Sequence, residues 1–492
     1  MTLLPPEVTA LDYRHAIADR QIGAEAGIER FLHALRQLDA RVQAVLECYE
    51  HEALTAARVV DRELAQGRVA RPLEGVPFTV KGNLSTEFGT TNAGSRILEG
   101  FRALADATAV RRLRAAGAIL VAKTNLDEFG MGSSCENSAF HPTRNPWNKK
   151  WVPGGSSGGA AALAAGLGGS FHLGTDTGGS IRQPAAFCHV TGMKPSYGAV
   201  SRAGVLAFGS SLDQVGVLGR SAADARAVLA VMGGHDALDA TSRREPTLTP
   251  PPAPPWRVGL PREYFASGID PQVTEKVRAA VGLLEALGCV VVEVSLPHTE
   301  YANACYQIVS TAEASSNLAR YDGIHYGVRT GTGELAAVYR ASRGRGFGAE
   351  VQRRILLGTF VLTAGHADAY YQRALRVRSK IREDFERVFR DVDVLVAPTS
   401  PVLPFALGER VTDPLALYAC DVLTVPASLA GLPGVSVPCG RAGGGEPVGL
   451  QILGPVGGDS LVLAVAEAYQ ARSDHHRALA HDPTSGNGGA AA

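Results

Sequence analysis

Two glycine–serine clusters constrain this chain more than any other feature. Pro153-Gly154-Gly155-Ser156-Ser157-Gly158-Gly159 and Gly174-Thr175-Asp176-Thr177-Gly178-Gly179-Ser180-Ile181-Arg182 flank a small-residue stretch, residues 160–169, suited to a tightly packed helix. Glycine admits backbone conformations and close approaches that a Cβ forbids. Clusters of this kind mark places where backbone amides turn toward something, here with serine hydroxyls beside them. They are the densest part of a glycine content of 56 in 492 residues, about 11% against an average near 7%. Neither cluster matches GxxxxGK[ST], which argues against a Walker-type phosphate cradle. Gly344-Arg345-Gly346-Phe347-Gly348-Ala349 faintly follows a dinucleotide fingerprint, but no strand precedes it.

Around the clusters the pattern is strand–helix–strand. Gly75–Lys81 reads as a short apolar strand ending in lysine, and residues 106–117 as a helix stopped by Gly117. Residues 118–122 follow as a buried strand. Pro271–Leu287 is an amphipathic helix closed by Gly288 and followed by the strand 290–294, with later strands around Val392–Val396 and Gly449–Leu453. Residues 8–66 read as helical, with Leu32, Leu35, Leu38 and Val42 on one side. The expected class is α/β, a central mixed sheet covered by helices. The proline-rich run of residues 244–256 is expected to be a surface strap inside one domain spanning 8–475, and the tail 484–492 a flexible end.

Composition excludes several classes. Lys+Arg and Asp+Glu are 48 each, so the net charge is zero, against the cationic surplus of a protein that coats nucleic acid. Seven cysteines lie far apart with no CxxC pair, which suggests neither a disulfide framework nor a zinc site. No basic leader and no run of 18 apolar residues is present, so no membrane association and a cytoplasmic location are expected.

The two clusters and their separation resemble the amidase signature family, whose active group is a Ser–cis-Ser–Lys set. The resemblance implies Ser180 as nucleophile, Ser156 as bridging serine and Lys81 as base, and the amidase signature fold with helices on both faces of its sheet. It also implies an oxyanion hole from the N–H groups of Thr177, Gly178, Gly179 and Ser180. The family commonly carries Lys-Asp-Asn after the strand, whereas this chain reads Lys81-Gly82-Asn83. The residue types suit the chemistry. A serine hydroxyl must lose its proton to a base as it attacks. A free lysine is only about one part in 2,500 neutral at pH 7, and burial without a carboxylate partner raises that fraction. Ser157, Ser170, Thr175 and Thr177 are alternative nucleophiles by residue type alone, and Asp176 reads as a candidate loop anchor binding backbone amides.

Outside the signature, residues 123–134, 313–323, 346–355 and 421–426 resemble the glutaminase (A) subunits of tRNA-dependent amidotransferases, a branch of the same family. This implies hydrolysis of glutamine and delivery of ammonia to a B subunit. The B subunit uses ATP and Mg to convert misacylated Glu-tRNA(Gln) to Gln-tRNA(Gln), a C subunit completes the assembly, and the tRNA is held mainly by B. No metal or cofactor is expected on this chain. By the same resemblance Arg354 takes the substrate carboxylate and Asp421 its ammonium, with Tyr306 lining the pocket. Arg353 remains an alternative to Arg354, because adjacent helical residues point about 100° apart and only one can face the site. A stand-alone hydrolase of small amides shares Lys81, Ser156 and Ser180 but needs neither Arg354 nor Asp421. A non-catalytic scaffold, or a hydrolase using Thr2 as an N-terminal nucleophile, fits the sequence less well.

Overall fold

The computed structural model describes residues 8–266 and 268–480. Eleven strands form one sheet: β1 (Val45–Cys48), β2 (Pro77–Lys81), β3 (Ile119–Thr124), β4 (Phe171–Asp176), β5 (Thr191–Lys194), β6 (Gln214–Gly219), β7 (Arg257–Pro261), β8 (Val290–Val294), β9 (Val394–Pro398), β10 (Gly434–Arg441) and β11 (Pro447–Leu453). Their order is β1-β3-β2-β4-β6-β5-β10-β11-β9-β7-β8. β2 runs parallel to β3 and β4, and β7 runs parallel to β8 and β9; the other neighbours are antiparallel. The sheet is mixed, as the sequence pattern implies.

Strands β2 to β6, β9 and β11 are buried at every position. Because successive side chains point to opposite faces, helices must cover both faces of the sheet. The N-terminal segment differs from the helical reading at one point. Helices Ala10–Ala18, Ala24–Val42 and Glu50–Ala65 form, but Val45–Cys48 between them is edge strand β1, paired with β3. Its four residues are too few for periodicity to separate from the flanking helices. The second glycine cluster also begins later than the sequence suggests, since Gly174, Thr175 and Asp176 close β4 and the open loop starts at Thr177.

The proline-rich stretch holds no strand or helix and is largely exposed. It is tied down at Thr247, whose hydroxyl donates to the Ala199 carbonyl, and at Thr249, whose N–H donates to Ser460 Oγ. The strand that follows it, β7, joins the same sheet as the strands before it. Residues 484–492 lie outside the described residues.

Parallel β2 and β4 carry their C-terminal ends to the same edge, where open α/β sheets place their ligands. That arrangement sets Lys81, the last residue of β2, beside Thr175 near the end of β4.

Candidate active site

Lys81 is completely buried, and its Nζ meets only neutral oxygens. It lies 2.7 Å from Ser156 Oγ, 2.9 Å from Ser157 Oγ, 3.0 Å from Thr175 Oγ1 and 3.3 Å from the Thr175 carbonyl. Burial pushes the amine down to about 8, against the pull of the more distant carboxylates Asp127, Asp176 and Asp213. An amine of that acidity is neutral in roughly one molecule in ten at pH 7, far above the free side chain.

The hydrogen bonds around Nζ accommodate a neutral amine. Ser157 Oγ donates to the Thr175 carbonyl, so toward Lys81 it accepts. Thr175 Oγ1 accepts from Asn83 Nδ2 at 3.1 Å. A neutral amine has two N–H groups and one lone pair. Donation to Ser157 and to Thr175 uses both N–H groups and leaves the lone pair for the Ser156 hydroxyl. Ser157 and Thr175, nucleophile alternatives by type, are thereby occupied in holding Lys81. Ser170 sits apart, against His172 Nε2.

Ser156 follows a cis peptide bond from Gly155. The Gly155 N–H donates to Gln183 Oε1 at 2.9 Å, and a Cβ on Gly155 would fall 2.1 Å from Asp127 Oδ2. Asp127 in turn accepts from the N–H groups of Cys135 and Asn137. The first glycine cluster is therefore clasped from both sides. The same logic accounts for Gly82, where the family commonly has aspartate. A Cβ there would lie 2.9 Å from Leu126 Cδ2 and 3.0 Å from Leu46 Cδ1, so apolar packing occupies the place of a carboxylate.

Ser180 opens onto a narrow pocket whose walls include Gly130, Ser133, Asn303, Tyr306, Gln307, Arg354, Tyr418 and Asp421. Segments far apart in the chain thus meet beside one serine. The residues from Thr177 to Ser180 leave β4, and none of their N–H groups donates to another protein group among the described residues. The glycines there are sterically required. Gly179 has φ 144° and its Cβ would sit 2.1 Å from Thr424 Oγ1, while a Cβ on Gly178 would press on the Tyr306 ring at 2.7 Å. Asp176 anchors the downstream end, accepting from Ile181 N at 3.2 Å and pairing with Arg182 at 3.0 Å. Arg182 also reaches the Thr424 carbonyl, Gln451 and Ser428.

Of the two adjacent arginines, Arg354 faces the pocket and is buried, whereas Arg353 is exposed. Arg354 Nε donates to Glu350 Oε1 at 2.7 Å, and its guanidinium lies over the rings of Tyr418 (5.1 Å) and Phe208 (5.5 Å). Asp421 receives the Ser133 hydroxyl on Oδ2, while its buried Oδ1 has no partner. Burial pushes this carboxyl up to about 7. Burial likewise raises the Tyr306 phenol. Asn303 Oδ1 is a second buried acceptor without a partner in the same pocket. Sequence reading did not single out Asn303. The only available signal was its place one turn before Tyr306 and Gln307 on the helix Ala302–Asn317, which puts the three on one side. Ser133, Glu350 and Tyr418 were likewise not singled out as pocket residues.

Among the described residues no group of His, Cys, Asp or Glu side chains is arranged to hold a metal, and no helix is long and apolar enough to cross a membrane.

A buried lysine against a cis-linked serine, beside a glycine loop with free amides, is the arrangement of a serine-dependent amide hydrolase. A family model described as Amidase matches residues 26–463, and the chain belongs to that family, the amidase signature enzymes. Within it, the chain is 48% identical over 475 residues to the glutamyl-tRNA(Gln) amidotransferase A chain of Moorella thermoacetica, covering 96% of this chain and 97% of that one. The corresponding protein of Myxococcus xanthus is 50% identical over 483 residues, covering 96% and 98%. The crystal structure of the Thermotoga maritima counterpart superposes with a TM-score of 0.79 at 37% identity, covering 96% of each chain.

Proposed function

We propose that this chain is the glutamine-hydrolysing subunit of a tRNA-dependent amidotransferase. One observation carries the reading. The pocket that holds Ser180 also holds a cation, Arg354, and two unpartnered buried acceptors, Asp421 Oδ1 and Asn303 Oδ1. A simple amide has nothing to offer these groups. Glutamine does: its α-carboxylate suits Arg354, and its α-ammonium supplies the donors that Asp421 and Asn303 lack.

In this reading Ser180 Oγ attacks the side-chain carbonyl carbon of glutamine. Its proton passes to Ser156 Oγ, whose own proton passes to the lone pair of Lys81 Nζ. The carbonyl oxygen takes the negative charge and is met by the free N–H groups of Thr177, Gly178, Gly179 and Ser180. Donors of this kind are worth roughly 3–4 kcal/mol each in a transition state. The relay then runs backwards, and the departing nitrogen takes the proton and leaves as ammonia. A glutamyl ester remains on Ser180, and water, deprotonated by the same relay, releases glutamate. Ammonia is a nucleophile only while unprotonated, so it must pass to the accepting subunit without meeting bulk water.

The relatives' shared name, an amidotransferase of several chains acting on glutamyl-tRNA(Gln), supports the assembly part of the reading. In it a B subunit consumes ATP with Mg and amidates Glu-tRNA(Gln), with a C subunit beside it, and the work is cytoplasmic, where tRNA is charged. The zero net charge fits a subunit that leaves tRNA mainly to B. Co-expression with B and C subunits tests the whole reading. The complex should release ammonia from glutamine and form Gln-tRNA(Gln) only with ATP. Full activity on simple amides, with glutamine ignored, would instead mean a stand-alone amidase.

A further inference from the structure

Asp213 stands just before β6, and β4 and β6 pair with Asp176 opposite Gln214. Continued by one residue, that antiparallel register sets Asp213 opposite Thr177, the first residue of the open glycine loop. The two side chains meet: Thr177 Oγ1 donates to Asp213 Oδ1 at 2.7 Å. The Thr177 methyl lies against Gly209, where a Cβ would come within 3.3 Å of it. Asp213 also accepts from Phe208 N (2.9 Å) and from Gly209 N (3.1 Å). It is 4% exposed and, among the described residues, forms no salt bridge. Nothing in the sequence reading used it.

We propose that Asp213 is a positioning residue for the oxyanion-binding amides. It locks the Thr177 side chain, and through Thr177 it holds the upstream end of the Gly178–Gly179 turn. The downstream end is held independently by Asp176, through the N–H groups of Ile181 and Arg182. Between these carboxylates lie two glycines with no side chains of their own, held in the middle only where the Thr424 hydroxyl donates to the Gly178 carbonyl at 2.7 Å. An oxyanion donor is effective only when already aimed at the oxygen, so both ends of the turn must be fixed. Asp213 reaches further through Phe208, whose ring lies 5.5 Å from the guanidinium of Arg354. One carboxylate thus ties the oxyanion loop to the residue facing the other end of the substrate. This inference rests on the hydrolytic reading of the same site.

The test follows ammonia release from glutamine by the full chain co-purified with its partner subunits. Thr177→Val deletes the hydroxyl and keeps the branched shape and the N–H. It should lower kcat by about 10- to 100-fold, with KM within about threefold, somewhat less than outright loss of a donor. Asp213→Ala removes every acceptor and should lower kcat at least as far and raise KM as well, because Phe208 is released too. The double variant should be no slower than Asp213→Ala, since both changes break the same hydrogen bond. A kcat within about twofold of the parent in Thr177→Val, or losses that multiply in the double variant, would overturn the proposal. Should Asp213→Ala fail to fold, Thr177→Val decides alone. Failure of the glutamine reading looks different: the parent would hydrolyse a simple amide but not glutamine, and the same variants measured on that amide still test Asp213. Undiminished hydrolysis by Ser180→Ala would overturn both.

Discussion

Lys81 Nζ lies 2.7 Å from Ser156 Oγ, with no carboxylate among its hydrogen-bond partners and none of its surface exposed. A lysine so placed keeps its proton poorly, and only the neutral amine can receive one from Ser156. Glutamine hydrolysis should therefore rise with pH and level off above about 8. Lys81→Ala should flatten that limb and lower kcat by about 10²- to 10⁴-fold, the usual worth of a general base. The same shift bears on stability. The unfolded lysine titrates near 10.5, so between about 8 and 10.5 the unfolded chain holds a proton that the folded chain lacks. Stability from this group grows with pH across that window. A pH–rate profile and urea titrations at several pH values check both signs.

In the proposed function, substrate selection rests on Arg354 and Asp421. Arg354→Ala should reduce kcat/KM for glutamine by about 10²-fold or more, as expected when one partner of a buried charge pair is removed. Hydrolysis of a neutral amide such as propionamide should change far less. Asp421 is pushed up to about 7 by burial, so KM for glutamine should climb as pH falls below that value. Asp421→Asn should abolish this dependence. Parallel kinetics on the two substrates give the answer.

The Asp176–Arg182 pair, fully buried on both sides, carries a stability prediction. Asp176→Ala strands the guanidinium in the interior and should cost about 3–5 kcal/mol. Removing both partners, as in Asp176→Ala with Arg182→Leu, should cost less than the single changes added together, because no lone charge remains. Urea unfolding midpoints, at constant slope, measure each term.

Glycines separate by what surrounds them. Gly179→Ala places a Cβ 2.1 Å from Thr424 Oγ1 at φ 144°. It should destabilise by about 1–3 kcal/mol while lowering kcat. Gly282 lies mid-helix in Pro271–Ala286 with nothing within 4 Å of a Cβ. Gly282→Ala should instead stabilise by about 0.5–1 kcal/mol and leave kcat unchanged. Thermal melts and glutamine turnover distinguish the two cases.

Much of the fold was legible in particular segments. The apolar runs at 118–122 and around 394 read as buried strands because their length, their β-branched residues and the glycine and proline beside them permit little else. Edge strand β1 was missed because four residues between two helices carry no period of their own. The interior strands β4 and β6 were hidden by the glycines and polar residues within them, which local propensity assigns to loops. There, burial between neighbouring strands overrode propensity.

From the chain's own order come the mixed α/β class, the two glycine clusters and the spacing of Lys81, Ser156 and Ser180. Periodicity also announces that only one of Arg353 and Arg354 can face inward. The tertiary structure alone decided that it is Arg354. It alone brought Thr424 to the Gly178 carbonyl across 246 residues, Ser133 to Asp421 across 288, and Asp213 to Thr177 across a strand pair. Local patterns encode which face of an element is apolar, whereas contacts between distant segments follow from strand order and register, which are properties of the assembled sheet.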